Sequence, residues 1–155
     1  MQPEFDAIRD WIGGLTGIRP IPYAVDKPRP ARPYLMQHLT DVAPLTQAPA
    51  RTLRGGTDEA PTDTIISDVE LRVSLSAYGD AAMDRLTVFA GVKYLPDVCA
   101  PLGAVRLQEV GRIQRVPELV GTAYEDRAII SLIFHAPVTG VHQGTSVEDA
   151  QVIIT

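Results

Sequence analysis

This chain has one cysteine, three histidines and an aromatic fraction of only 6%. Cys99 is alone, so the chain forms no internal disulfide and builds no thiolate metal cage by itself, which agrees with a reducing compartment. Its neighbours Val98 and Ala100 are apolar and favour a buried thiol. Neither His38, His135 nor His142 has the i, i+4 partner of a zinc helix. The one arrangement left for a metal is His135 and His142 meeting Glu148 and Asp149 across a hairpin, and histidines at strand ends are more often structural. Nucleophile elbow, Walker-type loop and dinucleotide fingerprint are missing as well. No apolar run approaches the roughly 20 residues that cross a bilayer. Residues Met1 to Asp10 lack the basic start of an export signal, so folding in cytoplasm is expected. Positive charge is in deficit too: the net charge of -5 argues against backbone attraction to nucleic acid as the main activity.

What remains is an ordinary globular composition, 45% apolar and 21% charged, in 155 residues, the size of one domain. The clearest pattern is a strand that turns into a helix. Val69, Leu71, Val73, Leu75 and Ala77 alternate with Asp68, Glu70, Arg72, Ser74 and Ser76, giving one apolar and one wet face. Tyr78, Gly79 and Asp80 break the alternation. Asp80 is then expected to cap a helix carrying Met83, Leu86, Ala90 and Tyr94, stopped by Pro96. A first helix runs from Pro3 to Leu15, with Phe5, Ile8, Ile12 and Leu15 in one stripe widened by Trp11, and Gly13, Gly14 or Gly17 ends it.

Other strands follow. Ile18 to Tyr23, broken by Pro20 and Pro22, is either a strand at a sheet edge or not a regular strand. Pro28, Pro30 and Pro33 alternate with Lys27, Arg29 and Arg32 to make a stiff basic elbow before a second strand at Tyr34 to Leu39. Such an elbow is a rigid connection more readily than a proline-rich ligand. Residues Thr40 to Thr64 show no sustained periodicity, and a long flexible loop is expected over about 42–63. Ala104 to Arg115 fits a strand bent near Gly111, and Pro117 to Gly121 reads as a turn. Arg127 to Phe134 carries large apolar groups on both faces, as a central strand covered on each side would. Ala150 to Ile154 reads as a closing edge strand. The fold class is α+β, a mainly antiparallel sheet packed against an N-terminal and a central helix.

No set of catalytic groups emerges. Glu125-Asp126 and Asp58-Glu59 are adjacent, so in an extended chain they point to opposite sides and share a proton poorly. Arg54-Gly55-Gly56 lacks the flanking strand and helix of a phosphate cradle and reads as a hinge. Asp126 and Arg127, directly before an apolar strand, are candidates for a subunit boundary.

The order of elements resembles the phage neck terminator or tail completion family. The resemblance rests on the opening helix with Arg9, Trp11 and Ile12 leading to Thr16-Gly17-Ile18, on Arg29-Pro30 and Pro33-Tyr34 in the elbow, on Tyr78-Gly79-Asp80 between strand and helix, and on Tyr124-Glu125-Asp126-Arg127-Ala128 opening the long strand. It covers nearly the whole chain, and the stretch from 40 to 64 and the end after Thr155 match least. The resemblance implies a structural virion protein of the head-tail junction, assembled in the host cytoplasm, with no cofactor and no enzymatic activity. Copies would form a ring, expected to hold six, that ends tail-tube growth. Partners would be the chain itself, the tail tube protein and a head connector or adaptor, while DNA passes through the lumen unbound; no membrane is involved.

A heterologous ring needs one patch to meet a different patch on its neighbour. The loop from Val42 to Asp63, with Arg51, Leu53 and Arg54, and the terminal strand, with Val152 and Ile154, are the expected contacts, alongside Asp126 and Arg127. Glu4, Asp6 and Asp10 of the first helix would face the lumen or a partner. Two alternatives stay open: another phage adaptor on the head side or baseplate, and a small α+β ligand-binding domain or enzyme with a pocket between the helix at Ala81 and the sheet.

Overall fold

A computed structural model describes residues 2–24, 27–49 and 51–143. The fold is α+β, with the expected helix at the N-terminus and a largely antiparallel sheet. The elements are α1 (Gln2–Thr16), β1 (Ile21–Pro22), β2 (Tyr34–Pro44), β3 (Arg51–Gly56), β4 (Pro61–Tyr78), α2 (Ala82–Leu86), α3 (Pro96–Cys99), β5 (Arg106–Val110), β6 (Gln114–Arg115), β7 (Glu118–Val120), β8 (Ala123–Glu125) and β9 (Arg127–Gln143). They divide into two compact units. One comprises the described residues of 1–43 and 70–136, the other those of 44–69 and 137–155.

In the first unit the strand order is β1-β2-β4-β9-β5, with β6 also on β9 and β1 parallel to β2 at the edge. Strict alternation places Leu71, Val73, Leu75 and Ala77 of β4, and Ala128, Ile130, Leu132 and Phe134 of β9, in the core. Ile8, Trp11 and Ile12 from α1 join the same core, the centre of the stripe seen in the sequence. Trp11 is its pivot. Its ring meets Phe89 at 5.8 Å and forms a T-shaped pair with Phe134 at 6.0 Å, and its indole N–H donates to the Val98 carbonyl at 2.8 Å, so its one polar group is satisfied. Gly17 ends α1: its φ of +76° is the left-handed conformation, and its N–H reaches back to the Gly13 carbonyl at 2.9 Å. β9 lies inside the sheet as expected, but its second face, with Ile129, Ile133 and His135, is only half-buried and Ser131 on it is exposed.

The central helix is shorter than its apolar spacing predicts. α2 spans Ala82–Leu86 and passes into two 3₁₀ turns, Thr87–Phe89 and Val92–Tyr94. The buried residues are Ala82, Leu86, Phe89 and Val92: one α-helical step of four, then steps of three where the chain tightens into separate 3₁₀ turns; Met83, Ala90 and Tyr94, expected in the stripe, are exposed. Asp80 does not cap it. Gly79 and Ala81 both have positive φ, and the residue before α2 is Ala81 with no side-chain cap. Pro96 opens α3 at its first turn, where a missing N–H costs nothing, instead of only stopping a helix. Cys99 is half-buried, its thiol 3.4 Å from the Val92 carbonyl, and burial pushes its pKa up.

The single strand expected over Ala104 to Arg115 is two, β5 and β6, interrupted after Val110 and both paired with β9. β5 bulges between Leu107 and Glu109, and the Gly111 N–H donates to the Ser131 carbonyl at 2.8 Å. A Cβ there would stand 2.9 Å from that same oxygen. The expected turn at Pro117 to Gly121 is instead the first strand of a hairpin, β7 pairing with β8 around Gly121 at φ +64°.

The second unit corrects the flexible-loop expectation. Within about 42–63 lie the end of β2, all of β3 and the start of β4, and β3 pairs antiparallel with β4 from Arg51 opposite Ile66 to Gly56 opposite Pro61. Thr57 and Ala60 close the turn through reciprocal backbone hydrogen bonds of 3.2 and 3.1 Å. Gly56 has φ +84°, and a Cβ on it would meet the Ala60 carbonyl at 2.3 Å, so only glycine fits. Every residue of β3 is exposed, which leaves no buried face and hence no alternation for the sequence to show.

Candidate functional site

The proline elbow, the ends of β2 and β4, and the β7–β8 hairpin bring charged and aromatic side chains together in the first unit. Tyr34 starts β2 and Tyr78 ends β4; their rings stack at 4.6 Å and 11°. The guanidinium carbons of Arg29 and Arg127 lie 5.6 and 5.2 Å from the Tyr78 ring centroid, within cation–π range. Arg29 also grips Glu118 through two parallel hydrogen bonds, Nη1 to Oε2 at 3.1 Å and Nη2 to Oε1 at 2.9 Å. Arg127 Nη1 stands 3.8 Å from the same carboxylate, and its Nη2 donates to Ser76 Oγ at 3.4 Å.

A second layer surrounds Glu125, whose carboxylate is almost wholly buried. Arg32 contacts it as an ion pair, and Arg29 Nη1 is 3.8 Å from its other oxygen. Arg115 donates to Asp126 Oδ1 at 2.9 Å, and the Asp126 carbonyl receives the Gly79 N–H at 3.1 Å. Elbow, β4 turn and hairpin are therefore fastened by charge as well as by packing.

The electrostatics follow from these contacts. The Arg29 fork holds the Glu118 carboxyl below its usual range, and the same bond raises the Arg29 pKa. Burial raises both tyrosine hydroxyls, with Arg29 opposing it at Tyr34 and Arg127 at Tyr78. Both phenols stay protonated at neutral pH. Beside the cluster opens a cavity of about 580 Å³, walled by Ile21, Pro22, Tyr23 and Pro28 and carrying Lys27, Arg29, Arg127 and Glu118. Its position is at the elbow, away from the space between the helix at Ala81 and the sheet.

Of the residues singled out by sequence, Asp126 and Arg127 fall within this cluster, where both have partners in their own chain. Arg51, Leu53 and Arg54 lie apart from it on β3, exposed. Val152 and Ile154, with the strand expected at Ala150 to Ile154, lie outside the described residues, as do Glu148 and Asp149. His38 stacks on Tyr23 at 4.8 Å and His135 sits 3.7 Å from Glu70; among the described residues no three His, Cys, Asp or Glu side chains gather as a metal site. In α1, Asp6 pairs with Arg9 at 3.3 Å and Asp10 with Arg19 at 2.7 Å.

Sequence reasoning missed the Arg29–Glu118 and Tyr34–Tyr78 pairs. The arginines of the elbow were visible, but the carboxylate that answers them lies 89 residues away, in a segment that reads as a turn.

Fold and site together define a small α+β protein whose charged cluster fastens one part of the backbone to another. The profile of the phage neck terminator protein family matches residues 5–155, and the chain belongs to that family. It is thus a structural bacteriophage protein of the neck, where head and tail meet. Comparison with curated proteins finds no match. No helix among the described residues is long and apolar enough to cross a membrane.

Proposed function

We propose that copies of this chain close into a ring, expected to hold six, that ends tail-tube growth and presents a face to the head connector or adaptor. The chain acts there without catalysis or cofactor, as part of a virion neck put together in the host cytoplasm. The observation that carries this reading beyond family membership is the β3–β4 arm. Its β3 strand is exposed at all six residues and, among the described residues, pairs only with β4. An uncovered strand with unpaired backbone groups favours addition of another chain, and Arg51, Leu53 and Arg54 stand on it. Joining this patch to a different patch on the neighbour is the heterologous contact that closes a ring. Asp126 and Arg127, and the terminal residues Val152 and Ile154, are the remaining proposed contacts. The net charge of -5 suits a passage that DNA crosses without adhering.

The test replaces residues 51–60 by a short glycine-serine linker in the phage. The variant is expected to fold, with its thermal transition near that of the parent, and to leave heads and tails unjoined by electron microscopy. Normal joining rejects the role of the arm. Location of the protein at the baseplate, or on the head alone, rejects the terminator assignment in favour of another adaptor.

A further inference from the structure

Resting on the ring reading, we infer that the acidic tip of the β3–β4 hairpin in one copy seats in the basic elbow cavity of the next. The two surfaces are opposite in charge. The cavity presents Lys27, Arg29 and Arg127 against one carboxylate, Glu118. Two of these cations are already committed within the chain, Arg29 to Glu118 and Arg127 to Tyr78, while Lys27 is exposed and has no acidic partner among the described residues. The cavity therefore keeps a positive surplus that its own residues do not consume.

At the hairpin tip the sign is reversed. Residues Thr57 to Ala60 are all exposed, and Asp58 and Glu59 sit at the centre of the turn. Arg54 does not cancel them, because the register sets it opposite Asp63, a cross-strand pair of unlike charge. The turn is fixed by its two backbone hydrogen bonds and by Gly56, so both carboxylates are offered on a preformed loop at small entropic cost. Tyr23, Pro22 and Pro28 line the cavity with flat apolar walls, suited to the aliphatic part of such a loop. A phosphate polymer fits less well, since Glu118 stands in the lining and the chain as a whole is acidic. Tip and cavity are different patches, which satisfies the geometry of a closed ring.

Charge reversal decides it. K27E makes the cavity less positive, and D58K/E59K makes the tip basic; all three positions are exposed, so neither variant is expected to move the thermal transition. By mass photometry and sedimentation in about 0.1 M salt, each variant alone is expected to self-associate at least about tenfold more weakly than the parent. An equimolar mixture should regain assembly, because in an alternating ring the acidic tip meets an unaltered basic cavity and the basic tip meets the K27E cavity, whose positive surplus is gone. Carbodiimide treatment of assembled parent protein, prepared from mixed ¹⁴N and ¹⁵N chains, should join Lys27 to Asp58 or Glu59 across isotopes. Parent rings with variants that assemble equally well overturn this inference and leave the ring standing. Loss in both variants without recovery on mixing also overturns it, by assigning each patch another partner. A parent protein that stays monomeric at every concentration and forms no ring in particles overturns the ring, and this contact with it.

Discussion

Arg29 and Glu118 meet in a two-bond fork at 2.9 and 3.1 Å, and that fork ties the proline elbow to the β7–β8 hairpin. Because the Glu118 carboxyl is held below its ordinary value of 4.5, the pair stabilises the fold above that pH and fades as pH falls through the lowered folded value. Both side chains are partly in water, so the effect is small. E118Q is expected to cost about 0.5–1 kcal/mol at neutral pH, and the gap from the parent should close in acid. Urea titrations at a series of pH values check both the size and the direction.

Phe134 is fully buried and makes a T-shaped contact with the Trp11 ring. Truncation leaves a hole that the sheet cannot collapse around, so F134A should destabilise by about 3–5 kcal/mol. Tryptophan fluorescence during denaturation measures this directly, since Trp11 is the one indole in the chain.

At Gly56 an added methyl would run into the Ala60 carbonyl. G56A is therefore expected to open the Thr57–Ala60 turn and to speed amide exchange across Arg51–Gly56 and its partners on β4. The buried amides of β9 should exchange at their original rate. Hydrogen exchange resolved by peptide separates these outcomes, and uniform loss of protection would refute a local effect.

On the exposed face of β3, R51E and L53D remove nothing from the core. Stability should stay within about 0.5 kcal/mol of the parent, while assembly and infectivity fall. Infectious-particle counts alongside thermal melts test the pair of expectations, and full infectivity in both variants would clear β3 of the contact role.

Legibility in the sequence tracked burial. β4 and β9 were readable because one face of each is wholly inside, so Leu71, Val73, Leu75 and Ala77, and likewise Ala128, Ile130, Leu132 and Phe134, keep a two-residue spacing even where Ile129 and Ile133 make the other face of β9 apolar too. α1 was readable from Ile8, Trp11 and Ile12 for the same reason. The central helix was overextended because Leu86, Ala90 and Tyr94 also fit a 3.6-residue period, whereas the chain buries Leu86, Phe89 and Val92 through tighter turns. β3 left no trace, since a strand exposed on both faces carries no periodic signal. The charged cluster was half visible: Arg127 stood out beside its apolar strand, but its contacts with Tyr78 and Glu118 depend on pairings that only the folded chain creates. Family resemblance was carried by short motifs at the joints between elements, and several of these, Arg29, Tyr78-Gly79 and Glu125 to Arg127, are the residues that fasten the cluster.

Cys99 has one more consequence. A thiol that is half covered and ionises late reacts slowly with oxidants and alkylating agents. Sulfur bridges through this residue are therefore expected to form slowly. A cysteine placed at an exposed position would take up a fluorescent label well ahead of the native one.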